Sequence, residues 1–207
     1  MWVRASSLRA APGTIQGLID DFIQNTVPKI KATPGNVGAV LLVNREQGKC
    51  LALTYWKDRA ALDSSEATGT SLRTAVATQS GATIEGVQRA ETVLMERVGQ
   101  PQAGAYSRAT QFTCPADRMD AGVAHLRTTV VPNLKSIAGF KALICAINRE
   151  TGTCVVSSVW ESLDALKASE AQVAPTREEA IKVFGGSNIS VEIYESVYVD
   201  VQAPVTN

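Results

Sequence analysis

Asn148-Arg149-Glu150-Thr151-Gly152-Thr153-Cys154, running on to Trp160, decides the fold, because an earlier copy of it exists. Asn44-Arg45-Glu46-Gln47-Gly48-Lys49-Cys50 runs on to Trp56 in the same way, 104 residues upstream. The same offset pairs Arg4 with Arg108, Pro28 with Pro132, Glu66 with Glu170, Arg73 with Arg177 and Glu91 with Glu195. Between residues 2 and 98 no gap is needed, and 22 pairs are identical. One domain is therefore written twice, and everything else follows from that repetition. The first repeat occupies residues 1–98, a linker 99–104, and the second repeat 105–207.

Each repeat alternates between two periodicities. Residues 2–9 alternate as a strand, with Trp2, Arg4, Ser6 and Leu8 on one face. Pro12-Gly13-Thr14 breaks it, and Thr14 is the expected N-cap of a helix. Leu18, Ile19, Phe22, Ile23, Val27 and Ile30 then follow three-to-four spacing, an amphipathic helix with one buried stripe. Val37 to Val43 is a continuous apolar strand, Asn44 to Gly48 a hairpin turn, and Cys50 to Trp56 the return strand. A second helix is expected over 58–79, weakly interrupted at Thr68-Gly69-Thr70, and a long last strand over Val87 to Val98. The second copy repeats the plan with a strand from Tyr106 to Phe112, a hairpin over 140–160, a helix over 162–184 and a last strand over 189–201. The order β-α-β-β-α-β is a ferredoxin-like unit, a four-stranded antiparallel sheet with both helices on one face. The bare face has to be covered. The expected architecture is α+β: two tandem ferredoxin-like repeats packed sheet to sheet as an intramolecular pseudo-dimeric α/β barrel.

Composition excludes several functions. Twenty acidic and twenty basic residues cancel, and no basic stripe suits a nucleic acid or an anionic membrane. No apolar run approaches the length of a membrane span. The start, Met1-Trp2-Val3-Arg4, lacks the apolar core of a signal peptide, so a cytoplasmic location is expected. Cys50, Cys114, Cys145 and Cys154 then read as reduced thiols, with Cys50 and Cys154 as small buried strand residues. One histidine and no clustered ligands predict no metal and no bound cofactor. There is no phosphate loop, dinucleotide fingerprint, CxxC pair or HExxH.

Gly139-Phe140, Asn148-Arg149-Glu150-x-Gly152, a strand ending Val159-Trp160-Glu161-Ser162, then Ala165-Leu166 resembles the antibiotic-biosynthesis monooxygenase-like family. The first copy carries Gly35, Asn44-Arg45-Glu46-x-Gly48, Trp56 and Ala61-Leu62 at matching places. The resemblance spans both repeats and implies a dimeric α/β barrel built of ferredoxin-like units. It implies three kinds of activity: cofactor-free oxidation of phenolic or anthrone-type molecules, haem degradation, or no chemistry at all. The haem-degrading branch uses a Trp and a His on the second helix and an Asn on the first strand. Residues 57–98 and 161–202 hold neither Trp nor His, and neither first strand holds Asn, which argues against haem.

The function read from the sequence is a cofactor-independent monooxygenase-like protein acting on a small phenolic or quinol-type molecule. The alternatives are a non-catalytic small-molecule-binding or stress-associated protein, and a module whose interior is filled by side chains. Trp56 and Trp160 read as packing residues that can also serve as an aromatic wall; the expected pocket has Trp56 or Trp160 in its walls, with Ser7, Gln111 and Tyr55 as candidate polar contacts. Arg4 and Arg108 sit mid-strand among apolar residues, and a buried guanidinium needs a carboxylate. The expected partners are Glu91 and Glu195 on the last strands. The functional reading gives each arginine an anionic phenolate or carboxylate ligand instead. Glu66 with Arg73, and Glu170 with Arg177, are expected on a solvated helix face, as are His125 and its counterpart Asp21. The expected partners of the whole chain are a small molecule and, at most, a second copy of this pseudo-dimeric monomer.

Overall fold

The computed structural model describes residues 1–99 and 102–202; Gln100 and Pro101 of the expected linker lie outside them. Eight strands run β1 (Trp2–Arg9), β2 (Asn36–Asn44), β3 (Lys49–Trp56), β4 (Thr83–Arg97), β5 (Tyr106–Thr113), β6 (Phe140–Asn148), β7 (Thr153–Trp160) and β8 (Ser187–Val201). Following hydrogen-bonded neighbours gives two antiparallel runs, β1-β3-β2 with the end of β8, and β5-β7-β6 with the end of β4. The α+β class and the βαββαβ order of both repeats are therefore present.

The compact units cut the chain differently from the repeats. One comprises Met1–Ala90 with the chain from Glu195 onward, and the other Glu91–Tyr194. Each long last strand is thus divided. In the first unit the end of β8 pairs with β2, Val199 opposite Val40 and Glu195 opposite Val43. In the second, the end of β4 pairs with β6, Met95 opposite Ile144.

The first long helix of each repeat is not uniformly α. In the first unit α1 (Ile15–Asp21) passes through a π turn, Phe22–Thr26, into α2 (Val27–Lys31). Val27 N–H bonds the Phe22 carbonyl across the wide turn. Pro28, which has no N–H, sits in the first turn of α2, where the widened turn accommodates the missing donor. The second unit repeats this with α5 (Ala116–His125), a π turn Leu126–Val130 and α6 (Val131–Lys135), which carries Pro132. Thr14 is the N-cap residue of α1, as expected, but its side chain makes no capping bond; its hydroxyl donates back to the Ala11 carbonyl.

The second helix breaks earlier than expected. Residues 68–70 lie inside α4 (Glu66–Ser80), and the interruption falls at Ser65, between α3 (Arg59–Ser64) and α4. The second unit again matches, with α7 (Leu163–Ala168), Ser169 and α8 (Glu170–Phe184). Asp58 and Ser162 cap the short helices by accepting from Ala61 N–H and Ala165 N–H.

Each unit has its own core between helices and sheet. The first gathers Leu8, Leu18, Ile19, Phe22, Leu41, Val43 and Val76; the second Phe112, Met119, Leu126, Leu143, Trp160 and Phe184. Each such side chain contributes roughly 1.5–3 kcal/mol on burial. The two cores are not filled alike. A Cβ on Gly122 would meet the Phe184 ring at 2.3 Å, so Phe184 occupies space that Gly122 leaves. The corresponding first-repeat residues are Leu18 and Ser80, with bulk and void exchanged.

Candidate functional site

The site in the first unit begins with strand alternation. Arg4, Ser6 and Leu8 share the helix-facing side of β1, opposite Thr54, Ala52 and Cys50 of β3. Arg4 is only 2% exposed. Its charge therefore has to be met locally. The break at Ser65 meets it. Arg4 Nη1 donates to Ser65 Oγ at 2.9 Å and Nη2 to the Leu62 carbonyl at 2.6 Å. Glu66, in the first turn of α4, accepts from Nη2 at 2.9 Å. The guanidinium thus sits at the C-terminal end of one helix, while a carboxylate sits at the N-terminal end of the next. Both placements are favourable.

Glu66 is the hub. Its carboxylate also accepts from Arg73 Nη2 at 2.8 Å, Arg89 Nη2 at 2.6 Å and the Thr70 hydroxyl at 3.0 Å. Partial burial pushes its carboxyl up, but hydrogen bonds from Arg73 and Arg89 and the charge of Arg4 outweigh that and bring it to about 2. Burial lowers Arg4 from its ordinary value, and Glu66 opposes the shift. The expected partners are therefore corrected. Arg4 pairs with Glu66, not Glu91, while Glu195 pairs with Arg45 at 2.9 Å. The helix break places Ser65 and Glu66 opposite β1, within reach of the arginine. The Glu66–Arg73 pair is likewise not a bare surface bridge, since it belongs to this network.

Trp56 packs in the core and, like Trp160, lines neither cavity, so the expected aromatic walls are not there. It is fully buried and donates its indole N–H to Thr54 Oγ1 at 3.1 Å. The Arg4 guanidinium carbon lies 5.6 Å from the centre of its ring. That separation is within cation–π range. In front of Arg4 is a cavity of about 40 Å³. Its polar lining is Arg4, Ser6, Thr26, Thr54 and Arg73; its apolar lining includes Leu8, Leu18, Phe22, Ile30, Leu72 and Val76. Arg4 Nε is buried without a hydrogen-bond partner. Gly69 opens the wall beside it, because a Cβ there would lie 3.0 Å from Arg4 Nη1 and 3.1 Å from Arg73 Nη1.

The second unit builds the same site with other fillings. Arg108, 3% exposed, donates to Ser169 Oγ at 3.4 Å and the Leu166 carbonyl at 2.8 Å, and pairs with Glu170 at 2.7 Å. Glu170 also accepts from Arg177 at 2.7 Å, and its carboxyl is held below the usual range chiefly by that bond. Here too the expected Glu195 is replaced by the helix carboxylate. Trp160 donates to Ser158 Oγ at 3.0 Å and meets Phe140 edge-on. The cavity, again about 40 Å³, is lined by Arg108, Thr110, Ser158, Thr176 and Arg177 among apolar residues. Val173 stands where the first unit has Gly69.

The other expected site residues fall elsewhere. Tyr55 is buried opposite Val3, on the face of β3 turned from Arg4, and Ser7 shares that face of β1. Gln111 is exposed on β5. None of the three lines either cavity. His125 is half-buried with Nε2 enclosed and unpartnered, and Asp21 is buried and accepts from Asn25 at 2.7 Å, so neither is the solvated residue expected. The π turn that begins at the next residue disturbs the helix phase on which that expectation rested.

All four cysteines are buried free thiols. Burial pushes the Cys50 thiol up to about 11, with Arg45 opposing weakly. The Cys154 thiol is raised by its contact with Cys145, 3.8 Å between sulfurs, and then by burial. Among the described residues no three His, Cys, Asp or Glu side chains gather to hold a metal, and no helix is long and apolar enough to cross a membrane.

No family model matches the chain. An uncharacterized Mycobacterium tuberculosis protein is 26% identical over 204 residues, 99% of this chain and 91% of that one. A solved structure of an anthrone oxidase-like protein superposes with a TM-score of 0.70 at 15% identity, covering 97% of this chain and 93% of that one. A Lactobacillus acidophilus protein proposed to be a monooxygenase gives 0.70 at 11% identity, with 97% and 96% covered. A Listeria monocytogenes ferredoxin-fold protein related to antibiotic biosynthesis monooxygenases gives 0.53 at 7% identity, with 95% of each covered. The fold is that of the antibiotic-biosynthesis monooxygenase-like proteins, in tandem form. Within that fold, the chemical feature of this chain is a buried arginine in the lining of each cavity, held at a helix break by a buried serine and a partly exposed glutamate.

Proposed function

We propose that the helix-side cavities bind a small phenolic or quinol-type molecule, and that the chain is a cofactor-independent monooxygenase-like protein. The observation that carries this reading is Arg4, a buried guanidinium with an unpartnered Nε, in the lining of a mostly apolar cavity. A guanidinium in an apolar lining favours an oxygen-bearing ligand, since hydrogen bonds to a charged donor are among the stronger ones. The same guanidinium favours the ionised form of a phenol, so the ring is held as an electron-rich oxyanion. In such a reaction one atom of O₂ replaces a ring hydrogen and the other leaves as water, the substrate itself being oxidised to the quinone level, so that hydroquinone and O₂ give hydroxybenzoquinone and water. The protein's part is to bind, orient and ionise. The likeness to an anthrone oxidase-like fold supports the reaction class.

Size narrows the substrate. An apolar cavity of about 150 Å³ holds a benzene. Each cavity here is about 40 Å³. A single ring enters by displacing side chains such as Leu72 and Val76, whereas three fused rings demand far more.

The test is phenol and hydroquinone added to the protein, followed by heteronuclear NMR of the Trp indole signals and by an oxygen electrode. Saturable shifts at Trp56, with hydroquinone-dependent oxygen uptake above the protein-free rate, are expected. No shift at millimolar phenol would remove the reading. One observation favours the second reading, a non-catalytic small-molecule-binding or stress-associated protein: neither cavity is lined by a carboxylate or a histidine to take the phenolic proton. Saturable binding without oxygen uptake would select it.

A further inference from the structure

We propose that the cavity of the first unit selects a small monocarboxylate and that the cavity of the second does not. The inference rests on the reading that the first cavity takes a small ring-bearing ligand, and adds that the ligand it prefers carries a carboxylate. Two guanidiniums meet at its polar end, since Arg4 Nη1 and Arg73 Nη1 lie 3.0 Å and 3.1 Å from the position of a Gly69 Cβ. Both arginines line the cavity. The hydrogen bonds of Arg73 run from Nη2 to Glu66 and Thr70, and its Nη1 is the atom that lies beside Gly69. Glu66 already accepts from Arg4, Arg73, Arg89 and Thr70, so one carboxylate faces three guanidiniums.

A phenol oxygen answers one donor, whereas a carboxylate offers two oxygens and a full charge to two. Beyond the arginines the lining turns mostly apolar through Leu8, Phe22 and Leu72, which suits a small apolar body with no second charge, a single ring again entering by displacing Leu72 and Val76. In the second unit Val173 fills the place of Gly69 and is itself buried. Ile193 replaces Arg89 in sequence, so the third guanidinium is absent from the corresponding position.

Titration calorimetry with benzoate, benzamide and phenol, on the full chain and on Gly69→Val and Arg73→Gln, tests this. Benzoate is expected to bind saturably at one site per chain, about tenfold or more tighter than benzamide, as hydrogen bonds to charged groups require. Arg73→Gln is expected to lose about that factor for benzoate while benzamide is unchanged. Gly69→Val should abolish the benzoate site, with circular dichroism and the second unit's Trp160 indole signal unchanged. Equal binding of benzoate and benzamide, two equivalent benzoate sites, or benzoate binding that survives both substitutions would overturn the inference. If phenol still binds in those cases, the proposed function stands; if no probe binds, both fall.

Discussion

Glu66→Gln isolates the element on which the first site is built. The substitution keeps the shape and some hydrogen bonding but removes the charge facing buried Arg4. A fall from an ordinary 4.5 to about 2 corresponds to roughly 3 kcal/mol of native-state preference for the ionised form. Glu66 is one-third exposed, and solvent screening reduces that to about 2 kcal/mol. Removing one partner of a fully buried pair costs about 3–5 kcal/mol, which sets a ceiling. For a chain of this length about 2 kcal/mol lowers Tm by roughly 4–8 °C. The sign of the pH dependence follows from a depressed carboxyl. Its stabilisation is fully present above about pH 4.5 and is lost as pH falls toward 2. Thermal melts of wild type and variant should therefore differ by that amount at neutral pH and converge between about pH 4.5 and 2. Glu170→Gln should show a smaller gap, because Glu170 is 48% exposed and meets two arginines rather than three. A Glu66→Gln melt within about 1 °C of wild type at neutral pH, or a gap that persists unchanged to the acid limit, would refute the hub role.

Two glycines should respond oppositely to alanine. Gly17 in α1 has open space around its missing Cβ, so Gly17→Ala should stabilise by up to about 1 kcal/mol. Gly122→Ala drives a methyl into Phe184 and should destabilise by about 1–3 kcal/mol; urea unfolding measures both. The thiols should be silent in the native state. At mildly alkaline pH a disulfide reagent should leave Cys50 and Cys154 untouched over minutes and titrate all four cysteines in urea, since burial keeps these sulfurs protonated.

The architecture was legible because the repeat doubles every signal. The hairpins around Gly48 and Gly152, the alternation of residues 2–9 and the paired prolines each appear twice in register, and tertiary packing had little room to override them. The partner of Arg4 was not legible in the same way. Helical periodicity placed Glu66 on a solvated face because it assumed one unbroken helix, whereas the break at Ser65 starts a new helix with Glu66 in its first turn. A signal was nonetheless present. Arg4, Trp56, Leu62, Ser65, Glu66 and Arg73 are all identical to their counterparts at the 104-residue offset, and they are the residues that meet around the guanidinium. The two cavities differ where the repeats differ. Gly69 against Val173, and Leu18 with Ser80 against Gly122 with Phe184, are changes of volume that no periodicity records.

The divided last strands bear on how this polypeptide is made. The unit spanning Glu91–Tyr194 is continuous, so all of it leaves the ribosome before the other can be completed. The remaining unit begins earlier in the chain yet waits for its final strand, Glu195 to Val201, to pair with β2. The half that is translated first is thus the half that matures last. Until that strand emerges, the β2 edge from Val40 through Val43 stays open to nascent-chain chaperones and to neighbouring polypeptides on the same messenger.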